Sequence, residues 1–223
     1  MDYTLTRSRR RTVAIYIKGG GMEVRAPLKM PKRDIDEFVA SKQQWIMKHL
    51  TQQQEAARQR EAFTLNYGNT VTFRNTEYPL TAQTGTRAGF DGERFYLPPG
   101  LTSEQMKSAL VPIYRQLAKR HISGRVAYYA GLMNVAPAAV KINDAKTHWG
   151  SCSAKKSLNF SWRLIMADDM VIDYIVVHEL AHILEMNHSV RFWAVVAVVL
   201  PDYKERKKRL KELQHRLNTE TWE

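Results

Sequence analysis

The order of hydrophobic and polar positions changes along the chain from strand-like to helical. Residues 12–18 are rich in β-branched side chains and alternate in part, which is typical of a strand. Three glycines at residues 19–21 separate them from a second extended stretch at residues 22–26, so the pattern predicts a β-hairpin. Apolar residues at helical spacing then predict one amphipathic helix over residues 34–59, with Asp34 as its N-cap.

The middle of the chain has a different character. Residues 63–97 contain short extended patterns that glycine and asparagine interrupt, and these patterns predict short strands. Two prolines and a glycine at residues 98–100 form the clearest boundary in the chain. We therefore predict two regions: a β-rich N-terminal region with one amphipathic helix at residues 1–97, and a helical region at residues 98–223.

The pattern of residues in the second region predicts four helices and two short strands. Together, the two regions place the chain in the α+β class. A long helix begins at Thr102 or Ser103, and Pro112 is expected to start or kink it. The other predicted elements are strands at residues 140–143 and 158–161 and helices at residues 168–185, 189–200 and 203–217.

Composition excludes several classes of protein. The chain has 223 residues, of which 44% are hydrophobic and 25% are charged, so it is neither a disordered chain nor a fibre. The apolar run at residues 193–200 is far too short to cross a bilayer. There is one cysteine, and the sequence opens without a basic and apolar leader, so a cytoplasmic protein without an internal disulfide is expected.

The net charge of +12 is concentrated in two segments. Residues 7–33 hold nine basic residues and one acidic residue, and residues 204–216 hold seven basic and two acidic residues. The remainder is close to neutral. These basic segments predict contact with a polyanion or an anionic substrate, or else they are solvated surfaces.

The most informative spacing is His-Glu-x-x-His at residues 178–182. Residues four apart lie on one face of a helix, so the imidazoles of His178 and His182 can reach one ion. Glu179 directly follows the first histidine, which places its carboxylate beside a water at an open coordination position rather than on the metal. Apolar neighbours predict that this helix is buried, which favours a catalytic metal site over two solvent-facing histidines on an ordinary helix.

A third protein ligand is needed to complete such a site. His188 follows His178 by ten residues, and Asn187 is suited to ending the helix so that the chain turns back toward the metal. Glu185 is the competing ligand because it lies three residues after His182, on nearly the same face. We favour His188, with Ser189 as the cap of the next helix.

Three runs of residues together resemble the YgjP-type family of predicted zinc-dependent metallohydrolases, which is related to the zincin peptidases and loosely called SprT-like. The likeness is strongest over residues 139–210. The runs are Trp-Gly-Ser-Cys-Ser at 149–153, Asp-Tyr-Ile-Val-Val-His-Glu-Leu-Ala-His at 173–182, and Asn-His-Ser at 187–189, followed by Phe-Trp at 192–193.

This resemblance implies a zincin-like α+β fold with an N-terminal β-rich region. It also implies that His178, His182 and His188 bind Zn²⁺ and that Glu179 is the catalytic base. The chain departs from the family at His148, where an arginine more often precedes the Trp-Gly-Ser-Cys run.

Other residues near these runs are candidates for contacting substrate. Arg191 falls in the first turn of the helix after the third histidine, where it suits a carboxylate or phosphate or is an exposed surface residue. Trp149 is a candidate for the cleft wall or the core. In zincin-like folds a strand runs along the cleft, and the resemblance assigns this role to residues 158–161, which makes Asn159 a candidate. Cys152 is predicted to be a packed loop residue, with a nucleophile or metal ligand as the alternative.

The predicted activity is hydrolysis by a metal-activated water, and two substrate classes fit it. A peptide is the substrate that the motif suggests. Nucleoside triphosphates or other phosphoanhydrides are the alternative because the chain is basic. A third alternative is a non-catalytic, nucleic-acid-associated protein with structural zinc, but such sites are usually closed and rich in cysteine. The cations available for phosphate near the predicted cleft are Lys146, Lys155, Lys156, Arg163 and Arg191.

Overall fold

The structure is a computed structural model that describes residues 2–222, with Lys18 described by its backbone alone. The described helices and strands confirm the predicted α+β class. The chain divides into two compact units: residues 2–63 with residues 218–221, and residues 64–217 with residue 222. No helix among the described residues is long and apolar enough to cross a membrane.

The first unit contains a three-stranded sheet and two helices. The predicted hairpin is present as β2 and β3, which pair antiparallel, and β1 pairs with β3 in parallel on the other side. Two helices stand where the pattern predicted one. Pro31 occupies the N-cap of the first of them, so Asp34 lies in its first turn instead of capping it. The elements are β1 (Thr4–Ser8), β2 (Ala14–Lys18), β3 (Gly21–Pro27), α1 (Lys32–Ser41) and α2 (Gln43–Ala62).

Alternation along β3 decides which face of this sheet is buried. Met22, Val24 and Ala26 face the apolar core of the unit, whereas Glu23 and Arg25 lie on the opposite face. The residues buried in this core are Met22, Val24, Ala26, Ile35, Val39 and Ile46. The helices cover one face of the sheet and leave the other face open.

A four-stranded sheet belongs to the second unit. The chain is therefore divided between residues 63 and 64 rather than at the predicted boundary at residue 97. Tyr114 of the following helix explains the difference, because its ring packs 5.2 Å from that of Phe95 and its hydroxyl donates to the carbonyl of Thr72 at 2.9 Å. The Pro-Pro-Gly run is therefore a turn inside one unit. The strands, in the sheet order β4-β5-β7-β6, are β4 (Thr70–Phe73), β5 (Thr76–Ala82), β6 (Gly89–Phe90) and β7 (Phe95–Leu97).

The long helix α3 (Ser103–Leu132) begins at Thr102. The Thr102 side chain accepts from the backbone N–H of Gln105, and the Gln105 side chain accepts from the N–H of Thr102, which is a capping box. Pro112 lies within α3, and the helix continues across it without interruption. Of the two predicted start residues, Thr102 is therefore the cap.

A second three-stranded sheet, a 3₁₀ helix and three α-helices complete this unit. In the sheet, β10 is the central strand, with β8 parallel on one side and β9 antiparallel on the other. Asp168 caps α4 by accepting from the N–H of Val171 at 2.8 Å. The elements are β8 (Ala139–Asn143), β9 (Gly150–Cys152), β10 (Ser157–Ser161), a 3₁₀ helix (Trp162–Met166), α4 (Asp169–Ala181), α5 (Val190–Val199) and α6 (Tyr203–Leu217).

Candidate metal centre

The helix that carries the His-Glu-x-x-His spacing is buried along most of its length. Residues 171–177 of α4 are all buried, and they include five Val or Ile side chains. His178 and Glu179 come in the last turn of α4, and His182 is its C-cap. The apolar turns therefore anchor the helix in the core, and its C-terminal end presents the polar side chains.

His178, His182 and His188 converge at this end of α4. One ligand atom from each imidazole lies within 4.8 Å of the other two. The Nε2 atoms of His178 and His188 are 3.0 Å apart, close to the separation of about 3.3 Å that a tetrahedral zinc with Zn–N bonds of about 2.0–2.1 Å requires. Ser189 holds the turn before α5, because its hydroxyl accepts from the N–H of Phe192 at 3.3 Å.

Glu185 contributes to this centre through its backbone. Its carbonyl oxygen lies 3.2 Å from Nδ1 of His182. A carbonyl can only accept a hydrogen bond, so Nδ1 of His182 carries the proton and Nε2 keeps a free lone pair. Histidines that bind metals are commonly oriented in this way by a second partner. Among the residues described, the group that could hold an ion contains the three histidines and not the Glu185 carboxylate.

Phe192 packs against all three imidazoles. Its ring centroid lies 4.9 Å from that of His178, 4.6 Å from that of His182 and 4.7 Å from that of His188. Phe192 is fully buried, so it restricts the orientations open to the three rings. The sequence pattern alone does not predict this role for Phe192. The signal that was present is its position four residues after His188, one helical turn into an apolar helix.

His178 and His182 favour the neutral form of the imidazole. Burial, followed by the proximity of His182 and His188, lowers the pKa of His178 to about 3. Burial also lowers the pKa of His182. A metal binds the neutral imidazole, so at neutral pH no proton has to leave either of these rings.

Glu179 is 5% exposed, and burial raises its pKa to about 7. Its side chain lies directly against the backbone of β9: a Cβ atom on Gly150 would be 2.6 Å from Cγ and 2.7 Å from Oε1 of Glu179. Only glycine leaves room for this carboxylate. Gly150 belongs to the Trp-Gly-Ser-Cys-Ser run that resembles the family, but the sequence does not predict this contact.

The strand nearest to α4 differs from the predicted one. Residues 158–161 belong to β10, whose residue Asn159 is paired with Lys141 on one side and with Ser151 on the other. Both edges of β10 are therefore occupied by neighbouring strands, so the predicted cleft strand at residues 158–161 has no backbone edge left for an added peptide. The edge strand β9 takes that place, since its residue Gly150 contacts Glu179.

The free edge of β9 offers the backbone groups of two residues. The Trp149 carbonyl accepts from the N–H of Ser161 at 2.9 Å, and the N–H of Ser153 donates to the Ser157 carbonyl at 3.0 Å. Backbone direction alternates along a strand. Gly150 and Cys152, between these positions, therefore direct their N–H and C=O groups away from β10. Among the described strands, none pairs with that edge.

The remaining candidates differ in their exposure and in their neighbours. Trp149 is half-buried immediately before β9, and Arg191 is exposed in the first turn of α5. Burial, and then the charge of Glu179, raise the pKa of the Cys152 thiol, which disfavours the thiolate that a nucleophile needs. His148 is exposed, with its Nδ1 3.3 Å from the hydroxyl of Thr147.

A buried His-Glu-x-x-His helix with a third histidine defines a metal-dependent hydrolase of the metallopeptidase type. The family model for the YgjP-like metallopeptidase domain matches residues 11–213, and the chain belongs to this family. The resemblance found in the sequence is thereby confirmed.

Comparison with solved structures finds two zymogens of small metallopeptidases. Abylysin of Pyrococcus abyssi is 23% identical, with a TM-score of 0.39, over 41% of this chain and 92% of that chain. Jannalysin of Methanocaldococcus jannaschii is 22% identical, with a TM-score of 0.37, over 41% of this chain and 94% of that chain. No protein of curated function matches the chain significantly.

Proposed function

We propose that this protein is a zinc-dependent peptidase in which His178, His182 and His188 hold the ion and Glu179 is the general base. The observation that carries the proposal is the convergence of three imidazoles beside a buried carboxylate. An all-imidazole donor set suits zinc. When bound, the ion would lower the pKa of a water molecule and polarise a substrate carbonyl.

Glu179 has the properties that proton transfer requires. Its raised pKa lies near neutral pH, where a group can both accept and return a proton. Glu179 takes the proton of the attacking water and delivers it to the leaving amine. Packing between α4 and the backbone at Gly150 holds the carboxylate in one position, so little orientational freedom is lost when the reaction proceeds.

The edge of β9 favours a peptide as the substrate. An extended peptide can add to a sheet edge through its own backbone N–H and C=O groups. Gly150 and Cys152 direct such groups outward, and Gly150 also contacts Glu179. A peptide paired with β9 would thus pass beside the general base, in a position to be cleaved.

The cations predicted to meet phosphates are less well placed for a nucleotide. Arg163 is bound to the Asp144 carboxylate at 2.7 Å and lies over the Trp162 ring. Lys155 and Lys156 lie in the exposed turn between β9 and β10. Of the cations predicted for this role, only Arg191 lies in α5, the helix that begins just after His188 and the cap Ser189. These positions favour peptide hydrolysis over phosphoanhydride hydrolysis.

The test compares two substrate classes with one inactive variant. Zinc-loaded protein is incubated with an unfolded protein and, separately, with nucleoside triphosphates, and new amino termini and released phosphate or pyrophosphate are measured. We expect new amino termini, and a loss of about 100-fold or more in their rate for Glu179→Gln. Glu185→Gln is the matched control and should stay active. Glu179-dependent nucleotide turnover without proteolysis would overturn the peptidase proposal.

A further inference from the structure

We propose that the first compact unit binds single-stranded nucleic acid. The surface consists of the open face of the sheet β1-β3-β2 and of a cluster that we call the basic end. The basic end comprises Arg9, Arg10, Arg11 and Lys29, in the loops that follow β1 and β3. This proposal is independent of the metal centre and of the proposed peptidase activity.

Sheet topology brings the two loops to one end. Strand β1 runs parallel to β3, and their last residues, Ser8 and Pro27, are paired. The loops that leave these strands therefore start side by side. The Arg7 side chain links the two loops. Its guanidinium donates to the carbonyls of Pro27 at 3.1 Å, Leu28 at 3.1 Å and Met30 at 2.6 Å, which lie at the end of β3 and in the loop that follows it.

The charges of the basic end are not neutralised by any acidic residue in the described part of the chain. Three acidic residues of this unit pair with other bases: Glu23 with Arg25, Asp36 with Lys32 and Glu37 with Arg33. Among residues 2–222, no acidic group pairs with a member of the basic end. Nε of Arg10 is buried without a hydrogen-bond partner in the described part of the chain.

Four neighbouring positive charges repel one another unless an anion lies between them. A phosphodiester backbone supplies such anions at regular intervals, and binding to it releases counterions. The basic end is therefore suited to a polyanion in a way that a scattered set of lysines is not.

The open face of the sheet adds a site for bases. Tyr16 is 42% exposed, and the Arg25 guanidinium lies 4.5 Å from its ring centroid. Nε and Nη2 of Arg25 also donate to the Glu23 carboxylate, at 2.8 and 3.0 Å, which holds the guanidinium in place over the ring. Stacked aromatic and guanidinium groups are the usual platform for unpaired bases.

Two other anionic partners fit this surface less well. Leu28 is the exposed large apolar residue in the loops of the basic end, and one such side chain inserts too little apolar area to anchor a protein to a membrane. An acidic peptide would use the cations but not the Tyr16–Arg25 stack. The combination of cations and stack therefore favours nucleic acid.

Helix α6 provides a matched control for charge. Lys204, Lys208 and Lys211 share one face of this helix and are exposed, but Glu205 and Glu212 are interspersed with them. A triple variant Arg9→Glu, Arg11→Glu, Lys29→Glu and a triple variant Lys204→Glu, Lys208→Glu, Lys211→Glu change the net charge equally. Arg10 is left unchanged because its Nε is buried.

Binding is measured by fluorescence anisotropy with a labelled oligothymidylate at several salt concentrations. We expect the first triple variant to lose about tenfold or more in affinity and its salt slope to fall by about 2, as three lost phosphate contacts would give for a single strand. The α6 variant should change affinity by about threefold at most. Equal losses in the two variants would mean attraction to net charge alone and would overturn the proposal.

A second measurement separates bases from phosphates. Tyr16→Ala should weaken oligothymidylate binding by about fivefold or more and leave inorganic polyphosphate binding unchanged. Equal effects on both ligands, or on neither, would remove the stacking site and overturn the proposal. Binding to phosphatidylserine vesicles without binding to the oligonucleotide would overturn it in favour of a membrane. Circular dichroism and zinc content, both expected to be unchanged, show that each variant is folded.

Discussion

The two compact units differ in where they keep their charged side chains. In the first unit, ion pairs such as Lys32–Asp36 and Arg33–Glu37 lie on exposed helix surface. In the second unit, α4 buries two carboxylates, Asp173 and Glu179, among apolar residues. Among the residues described, the buried polar side chains all belong to the second unit, namely Lys107, Ser161, Asp173 and Glu179.

The two buried carboxylates of α4 also differ from each other. Asp173 receives both nitrogens of the Arg125 fork, at 2.5 and 2.7 Å, and the hydroxyl of Tyr129 at 2.9 Å. Glu179 has no salt bridge among the described residues, and burial raises its pKa to about 7. A paired buried carboxylate can be explained by structure alone, whereas an unpaired one with a raised pKa marks a functional site.

The largest expected effect comes from removing a histidine from the metal centre. His188→Ala should lower zinc affinity by more than the roughly 10–100-fold that loss of an outer contact produces, because a direct ligand is lost. Zinc content after dialysis against a competing chelator measures this effect.

Glu185→Gln is the control for that experiment. It retains the backbone carbonyl that contacts Nδ1 of His182, so its zinc content should equal that of the natural sequence. Loss of zinc in Glu185→Gln together with retention in His188→Ala would reverse the ligand assignment.

The next effect tests the contact between β9 and Glu179, the proposed general base. Gly150→Ala places a methyl group 2.6 Å from Cγ of Glu179 unless one of them moves. A displacement of about 1 Å at a reacting group can cost about 100-fold in rate. We therefore expect turnover to fall by about this factor while zinc affinity stays unchanged.

Ser151→Ala is the control on the same strand, since neighbouring residues of a strand point to opposite faces. It should keep nearly full turnover. If Gly150→Ala turned over as fast as the natural sequence, Glu179 would have room to spare and the proposed role of Gly150 would be lost.

Stability offers a direct comparison between the units. Asp173→Asn removes the charge that faces Arg125 and should lower the free energy of unfolding by about 2–3 kcal/mol. This value lies below the range of about 3–5 kcal/mol for a fully buried pair, because the Arg125 side chain is 32% exposed and can still reach water. Asp36→Asn breaks an exposed pair in the first unit and should cost much less, because water screens the two charges. Urea unfolding of both variants decides this, and equal losses would contradict the distinction drawn between the units.

Local patterns were sufficient to predict much of the second unit. The 3.6-residue periodicity predicts α4 and α5, and the cap at Ser189 predicts where α5 begins, because caps and helix faces depend on residues close in sequence. The same local spacing predicted that the side chains of His178, His182 and His188 converge. Their role as zinc ligands stays a proposal.

Features that depend on distant residues could not be predicted in this way. A period of two indicates a strand but not its neighbours, so the central position of β10 and the free edge of β9 were missed. The turn at residues 98–100 was visible, but the packing of Phe95 on Tyr114 across it was not. The fit of Gly150 against Glu179 likewise joins two segments that are separated in sequence.

The smallest expected effect concerns an ion pair on the rim of the second unit. Asp169, in the first turn of α4, receives the Arg74 guanidinium, with Nε at 2.9 Å, and Nε2 of His121 at 2.9 Å. The hydrogen bond from Arg74 is the main cause that lowers the pKa of Asp169, and the proximity of His121 adds to it. The folded state therefore prefers the ionised carboxylate more strongly than the unfolded state does.

The sign of the pH dependence follows from that preference. The stabilisation is complete above the ordinary aspartate pKa of about 3.9 and is lost as the pH falls through the lower pKa of the folded state. Because the Asp169 side chain is 44% exposed, Asp169→Asn should cost about 1 kcal/mol or less at pH 7. Urea unfolding at pH 7, 5 and 3 should show this difference shrinking only below about pH 4. A difference that is the same at pH 3 as at pH 7 would mean that the asparagine disturbs packing, and that the charge of Asp169 contributes nothing to the second unit.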